Sequence, residues 1–144
     1  MDSANRFAEF VVNHWALSLA FVVILVMLIV SEIRRRLYGA PQIGPHAATR
    51  LMNDAGTVVL DVREDGEWKQ GHLANALHIP LGQLGGRIKE LDKYRDRTLI
   101  AYCRTGQRSN SAAALLRKQG FVNVYNLAGG IVAWQNANLP VTKK

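Results

Sequence analysis

The chain has 144 residues, of which 49% are hydrophobic and 20% are charged, and it carries a formal net charge of +7. This length predicts one compact domain of about 100 residues with an appended segment. A single cysteine excludes an internal disulfide framework, and the four histidines have no metal-ligand spacing with it, so we expect no metal site. The basic residues are scattered and no DNA- or RNA-binding motif is visible, so we expect no nucleic-acid partner.

Residues 10–33 are predicted to form one transmembrane helix. Between Phe10 and Ser31 there is no formally charged residue, and neither Gly nor Pro interrupts the run. About 20 apolar residues are enough to cross the hydrocarbon core of a bilayer in helical form. A helix on the surface of a soluble protein would show polar residues at helical spacing, which this run lacks. The lipid bilayer is therefore an expected partner.

The charges that flank the apolar run predict its orientation. A cleaved signal peptide has basic residues before its apolar run, whereas here Arg34–Arg36 follow it. The positive-inside rule places these arginines in the cytoplasm and residues 1–9 outside, as a short extracytoplasmic N-terminus. We expect a single-pass membrane protein with a cytoplasmic domain, in the inner membrane if the source is bacterial. The arginines could instead bind a partner.

A basic juxtamembrane segment and linker is predicted for residues 34–45, and one soluble domain for residues 46–144. The linker prediction depends on two Gly and two Pro within residues 38–49, a stretch with no apolar periodicity.

Strands and helices alternate through the soluble domain, which predicts an α/β fold with a largely parallel central sheet flanked by helices. Residues 66–80 read as irregular or partly helical around a short strand. In such sheets the reactive surface lies at the carboxyl ends of the strands. The predicted helices cover residues 46–56, 81–94, 109–120 and 130–140, and the predicted strands cover residues 57–63, 76–79, 97–103 and part of 121–130.

Cys103 ends a predicted strand and is followed by the short loop sequence RTGQR and a helix. Gly106 allows a tight turn, so that the loop amides can curl inward around an anion. The helix N-terminus adds partial positive charge, and Arg104 and Arg108 add full charges. These effects favour the thiolate, which is the nucleophilic form, and an anionic substrate. The alternatives are a small core thiol at a strand end and solvated surface arginines.

Four segments resemble the rhodanese-like domain family of single-domain sulfurtransferases, here preceded by a membrane anchor. The resemblance implies the rhodanese α/β fold, with the cysteine at the base of a loop whose amides surround its sulfur. It also implies a persulfide on Cys103, formed from a sulfur donor and passed to a thiophilic acceptor, with no other cofactor. The segments are LDVREDGEWKQGHLANALHIP (60–80), LIAYCRTGQRS (99–109), AAALLRKQGF (112–121) and VYNLAGGIVAWQNANLPV (124–141).

The length of the loop favours sulfur transfer over phosphatase chemistry. Tyrosine phosphatases place Cys and Arg as C-x5-R around a phosphate, and rhodanese-like loops are similar but one residue shorter. Arg108 follows Cys103 as C-x4-R, and Ser109 stands where the longer loop would need its arginine. A smaller loop suits a terminal sulfur better than a tetrahedral phosphate.

The resemblance assigns roles to individual residues. Cys103 is the expected nucleophile, and the donor is a small anion such as thiosulfate, with a thiol or a protein as sulfur acceptor. His72 is expected to make a structural hydrogen bond, and Trp68 and Trp134 are expected in the core. Structural support is expected from Asp61, Arg63 and Ser109, the first two as a buried ion pair. The expected substrate-binding residues are Arg104, Thr105, Gly106, Gln107 and Arg108.

A second function remains open from the sequence. Rhodanese-like domains also occur as inactive or regulatory units, and an anchored domain could dock on other membrane proteins without catalysis. The intact cysteine loop argues against a purely inactive domain.

Overall fold

A computed structural model describes residues 2–143, without the side chains of residues 2–4, 8, 35, 36 and 38. The chain divides into two compact units, Met1–Leu37 and Tyr38–Lys144. Helix α1 (Asp2–Asn13) and all but the last residue of helix α2 (Trp15–Tyr38) form the first unit, with a turn at His14 between them.

Helix α2 contains the predicted membrane-spanning run. By length and composition, Trp15–Arg34 is long and apolar enough to cross a membrane, a criterion that signal sequences also meet. The helix begins at Trp15 rather than at Phe10, because the turn at His14 separates the preceding residues as α1. The side chains of Arg35, Arg36 and Tyr38, which bear on the predicted orientation, lie outside the described residues.

The second unit is built on a five-stranded sheet in the order β1-β5-β4-β2-β3, in which every neighbouring pair of strands is parallel. The predicted α/β class is thereby confirmed. The strands are β1 (Gln42–Ile43), β2 (Val58–Asp61), β3 (Leu77–His78), β4 (Thr98–Tyr102) and β5 (Asn123–Leu127). The helices are α3 (Pro45–Met52), α4 (Asp65–Gln70), α5 (Leu81–Arg87), a 3₁₀ helix (Ile88–Tyr94), α6 (Gln107–Lys118) and α7 (Gly130–Asn136).

Strand β1 lies within the segment predicted as a linker. Gln42 is paired with Asn126 and Ile43 with Leu127, so the start of the domain completes the sheet beside β5. Two residues are too few to show the alternation that identifies a strand in a sequence.

Four helices differ from their predicted extents, and two of them, α3 and α7, end four residues earlier than predicted. The helix predicted over residues 81–94 changes to 3₁₀ geometry at Ile88, after Gly85 and Gly86, residues that weaken an α-helix. Helix α6 begins at Gln107 instead of Ser109, because Gly106 already completes the turn in the left-handed conformation.

The central strand β4 divides the core into two layers. Successive side chains of a strand point to opposite faces, so Leu99 and Ala101 pack on one face and Ile100 and Tyr102 on the other. Cys103 continues the first series and lies in the layer that contains residues of α6. The two layers include Leu84 and Leu116 on the first face, and Ala48 and Trp134 on the second.

The three aromatic and histidine predictions have different outcomes. Trp134 is buried in the core as predicted, and its Nε1–H donates to the carbonyl of Pro140 at 2.9 Å. Trp68 is only half-buried, and its ring stacks on those of His72 and His78 at centroid distances of 3.5 and 4.7 Å. The predicted hydrogen bond of His72 joins its Nδ1 and the carbonyl of Trp68, at 3.2 Å.

Asp61 and Arg63 form a buried ion pair where β2 ends. The Nη2 of Arg63 lies 2.6 Å from Oδ2 of Asp61, and the two side chains are 5% and 0% exposed. The same nitrogen donates to the carbonyl of Gly71 at 2.7 Å, so the pair connects the end of β2 to the residue that follows α4.

We expect Arg63→Met to destabilise the domain by about 3–5 kcal/mol, because it leaves a buried carboxylate without its cation. The free energy of urea unfolding measures this loss. Arg87→Met is the matched control, because it breaks the exposed pair of Arg87 with Glu90 and should cost far less. Equal losses in the two variants would show that burial of the Asp61–Arg63 pair does not matter.

Candidate active site

Cys103 lies directly after the central strand β4, at the carboxyl edge of the sheet. Its side chain is 1% exposed. Only residues 104–106 separate it from the first residue of α6, so the nucleophile, the loop and a helix N-terminus occupy one small region. This is the arrangement expected from the sequence, with a loop even tighter than predicted.

Gly106 closes the loop around the sulfur. Its backbone N–H donates to the Cys103 Sγ at 3.1 Å, and its φ of +98° is a conformation that side chains disfavour. A Cβ atom at this position would lie 3.2 Å from the carbonyl oxygen of Leu127. The turn therefore favours glycine here, and the close approach to the end of β5 leaves little room for a side chain.

Helix α7 orients the first two peptide groups of the loop. The N–H of Ile131 donates to the carbonyl of Cys103 at 2.9 Å, and the N–H of Val132 donates to that of Arg104 at 3.2 Å. In a trans peptide the C=O and the next N–H point in opposite directions. With the carbonyls turned towards α7, the N–H groups of Arg104 and Thr105 point to the other side, into the loop.

Gly130 makes this contact between α7 and the loop possible. A Cβ atom on Gly130 would lie 2.4 Å from the carbonyl oxygen of Cys103 and 2.5 Å from that of Arg104. No side chain fits there, so the second glycine of the LAGG sequence serves the cysteine loop rather than the turn alone.

The hydrogen bonds around Cys103 lower the pKa of its thiol. Burial is the largest influence and raises the pKa, because a thiolate is poorly solvated inside a protein. It is outweighed by hydrogen bonds from the hydroxyl of Ser109 and from the backbone N–H groups of Ser109, Gly106 and Thr105, so the net shift is downward. The site therefore favours the nucleophilic thiolate.

Ser109 belongs to a buried polar network that the sequence did not predict. Its Oγ lies 3.4 Å from the Cys103 Sγ and 2.5 Å from the Oδ1 of Asn126. Asn126, which is 1% exposed, donates through Nδ2 to the carbonyl of Gly106 and to the Oε1 of Gln42, both at 2.9 Å. The network connects β1 and β5 to the cysteine loop. In the sequence, Asn126 stands out as a polar residue within a largely apolar strand, and that feature could have indicated a buried polar contact.

Arg108 has a carboxylate partner, Glu67 of α4, that the sequence analysis did not single out. The Arg108 Nη1 and Nη2 groups donate to the two oxygens of Glu67 at 2.7 and 2.8 Å. Hydrogen bonding to Arg108 is the main reason that the pKa of Glu67 falls to about 2, and the same bond raises the pKa of Arg108. Two of the five N–H donors of Arg108 are therefore engaged by Glu67, whose charge offsets that of the guanidinium.

The other expected substrate-binding side chains are exposed on the loop. Arg104, Thr105 and Gln107 all face solvent. Arg104 lines a cleft of about 440 Å³ together with Glu67 and residues of α7. Among the residues that the structure describes, no acidic group forms an ion pair with Arg104.

Comparison with known proteins agrees with this geometry. Residues 44–137 match the model of the rhodanese-like domain, and the chain belongs to this family. A solved rhodanese-related protein from Thermoplasma volcanium superimposes with a TM-score of 0.63 at 31% identity, covering 72% of this chain and 99% of that one.

Two sequence relatives extend the comparison. A sulfurtransferase of Allochromatium vinosum is 39% identical over 92 residues, which cover 64% of this chain and 84% of that protein. The uncharacterized protein YibN of Escherichia coli K12 is 29% identical over 136 residues, covering 94% of this chain and 95% of that protein. Because the second match covers so much of the chain, it extends through α2 as well as the α/β domain.

Ser109→Ala should raise the pKa of Cys103, because it removes one of the hydrogen bonds that stabilise the thiolate. The pH dependence of alkylation by iodoacetamide measures this shift, with its midpoint moving to higher pH. Ser111→Ala is the control, since Ser111 lies on the same helix with its side chain exposed. An unchanged midpoint in Ser109→Ala would mean that the hydroxyl does not donate to the sulfur.

Proposed function

We propose that this chain is a membrane-anchored sulfurtransferase that carries sulfane sulfur as a persulfide on Cys103. The observation that carries the proposal is the buried cysteine whose sulfur accepts hydrogen bonds from a hydroxyl and loop amides that lower its pKa. Membership of the rhodanese-like family and the identity to a sulfurtransferase support the same chemistry.

The reaction proceeds in two displacements. In the first, the Cys103 thiolate attacks the outer sulfur of an anionic donor such as thiosulfate. The sulfur–sulfur bond of the donor breaks, sulfite leaves, and Cys103 becomes a persulfide. In the second, a thiolate or cyanide acceptor attacks the outer sulfur and Cys103 leaves as thiolate. Covalent catalysis of this kind replaces one difficult transfer with two easier steps.

The loop supplies preorganised hydrogen-bond donors for both steps. The N–H of Gly106 and the hydroxyl of Ser109 already contact the sulfur, at 3.1 and 3.4 Å, and Thr105 contributes its N–H. Donors held in place before the reaction stabilise developing negative charge without reorganisation. The loop is too short to place Arg108 as a C-x5-R arginine around a phosphate, so sulfur transfer is preferred to phosphatase chemistry.

The membrane part of the proposal concerns α2. We place Trp15–Arg34 across the bilayer and Arg34–Arg36 on the cytoplasmic side, with the α/β domain following them. The length and composition of the helix support the span, and the position of the arginines after it is the reason for the proposed orientation.

Cys103→Ser should abolish transfer of sulfur from thiosulfate to cyanide. Intact mass measurement of the wild-type protein with a sulfur donor should show the addition of one sulfur atom, which a reductant removes and which the serine variant never acquires. A wild-type protein that gains no sulfur from thiosulfate or from organic persulfides would refute the proposed activity.

The full chain should sediment with phospholipid vesicles after carbonate extraction, whereas a variant lacking residues 1–36 should stay in solution. Complementation with the truncated variant and with Cys103→Ser separates catalysis from tethering. If Cys103→Ser retains the cellular function and the truncated protein loses it, the domain acts as a tethered binding module, the alternative suggested by the anchor.

A further inference from the structure

The charges near Cys103 are more completely paired than the sequence indicates. Arg63 is bound to Asp61 at 2.6 Å, and Arg108 is bound to Glu67 through two hydrogen bonds. Within the described part of the chain, Arg104 is the cation at this site without an acidic partner. A small dianion approaching the loop therefore finds one uncompensated positive charge instead of three.

Glu67 is held in its position from two sides. Its Oε2 accepts the backbone N–H of Glu64 at 3.2 Å, which completes a capping box at the start of α4. Both of its oxygens also accept N–H groups of Arg108, a paired geometry that is stronger than a single contact. An anion that approaches Arg108 therefore meets a guanidinium whose charge is already offset by a carboxylate that is held in place.

The cleft beside the loop is much larger than an inorganic sulfur anion. Its volume of about 440 Å³ falls in the range of small-molecule sites. The lining combines the apolar Ile131 and Val132 with the neutral Gln70 and Gln135 and with the charged Arg63, Glu67 and Arg104. Because the Glu67 carboxylate is part of this lining, the cleft suits the organic part of a small thiol that carries no net negative charge.

Resting on the proposed function, we infer that Glu67 is a specificity-determining residue. It disfavours doubly charged donors such as thiosulfate and adapts the site to the persulfide of a low-molecular-weight thiol, R–S–SH, whose organic part lies in the cleft. The Cys103 thiolate attacks the outer sulfur, the sulfur–sulfur bond of the donor breaks, and R–S⁻ leaves. The outer sulfur keeps its proton, and no oxidant or reductant is consumed.

The decisive variant is Glu67→Gln, which removes the charge but keeps a side chain that can complete the capping box. We expect the ratio of kcat/KM for thiosulfate to kcat/KM for the persulfide of pantetheine, an uncharged thiol, to rise about tenfold, the scale of one charge-assisted hydrogen bond. An unchanged ratio in a folded Glu67→Gln protein overturns the inference.

Asp92→Asn is the matched control. It makes the same change in net charge by breaking the exposed pair of Asp92 with Arg95, which precedes β4 and so lies at the opposite end of that strand from Cys103. The ratio should stay within about twofold of the wild type. An equal rise in this control would assign the effect to overall charge and overturn the role of Glu67.

The double variant Glu67→Gln/Arg108→Gln tests whether the gain passes through Arg108. Its ratio of kcat/KM for thiosulfate to kcat/KM for pantetheine persulfide should return to the wild-type ratio, because the guanidinium that Glu67→Gln exposes is gone. A loss of more than about tenfold in this ratio would show that Arg108 binds the donor in the wild-type protein, against the inference. This comparison does not require the single variant to fold.

Gln135→Trp tests the cleft. The larger side chain should lower kcat/KM for pantetheine persulfide at least fivefold more than for thiosulfate, and equal effects would exclude the cleft as the site of the organic part. Measurement of the intact mass after incubation with each donor distinguishes failure of the proposed function from failure of this inference alone. If no donor forms a persulfide on Cys103, the proposed function fails and the inference with it; if persulfide forms but the ratios do not move, only the inference fails.

Discussion

Two backbone hydrogen bonds from the start of helix α7 to the carbonyls of Cys103 and Arg104 determine the geometry of the site. Since trans peptides direct N–H and C=O oppositely, these bonds turn the loop amides towards the sulfur. They exist only because Gly130 has no side chain to strike the two carbonyl oxygens. The nucleophile at the end of β4 thus depends on a glycine that follows β5, the neighbouring strand.

Burial and hydrogen bonding act on the pKa of Cys103 in opposite directions, and the hydrogen bonds of Ser109 contribute to the net downward shift. Burial alone would favour the neutral thiol, and the loop amides and the Ser109 hydroxyl reverse that preference. Ser109 has one proton and two neighbours that can accept it, the sulfur and the Oδ1 of Asn126. The position of Asn126 therefore influences how strongly Ser109 supports the thiolate, and Gln42 of β1 holds Asn126 in turn.

Features that arise from local sequence were predictable, and those that depend on distant contacts were not. Alternation of strands and helices, the place of Cys103 at a strand end and the count from Cys103 to Arg108 need only neighbouring residues. By contrast, Glu67 and Arg108 are 41 residues apart, and Gln42 and Asn126 are 84 apart. A capping glutamate and a two-residue strand look ordinary in the sequence, because their importance comes from the partner that the fold brings to them.

The same distinction explains why net charge is a poor guide to this site. The chain carries +7, and its loop contains two arginines, which together suggest a strongly anion-attracting surface. An arginine stays charged in any protein, but its field beyond a bidentate carboxylate is largely cancelled. Through this ion pair with Glu67, Arg108 connects α6 to α4 instead of acting as a binding group for anions. Attraction of the donor is left to the loop amides and to Arg104.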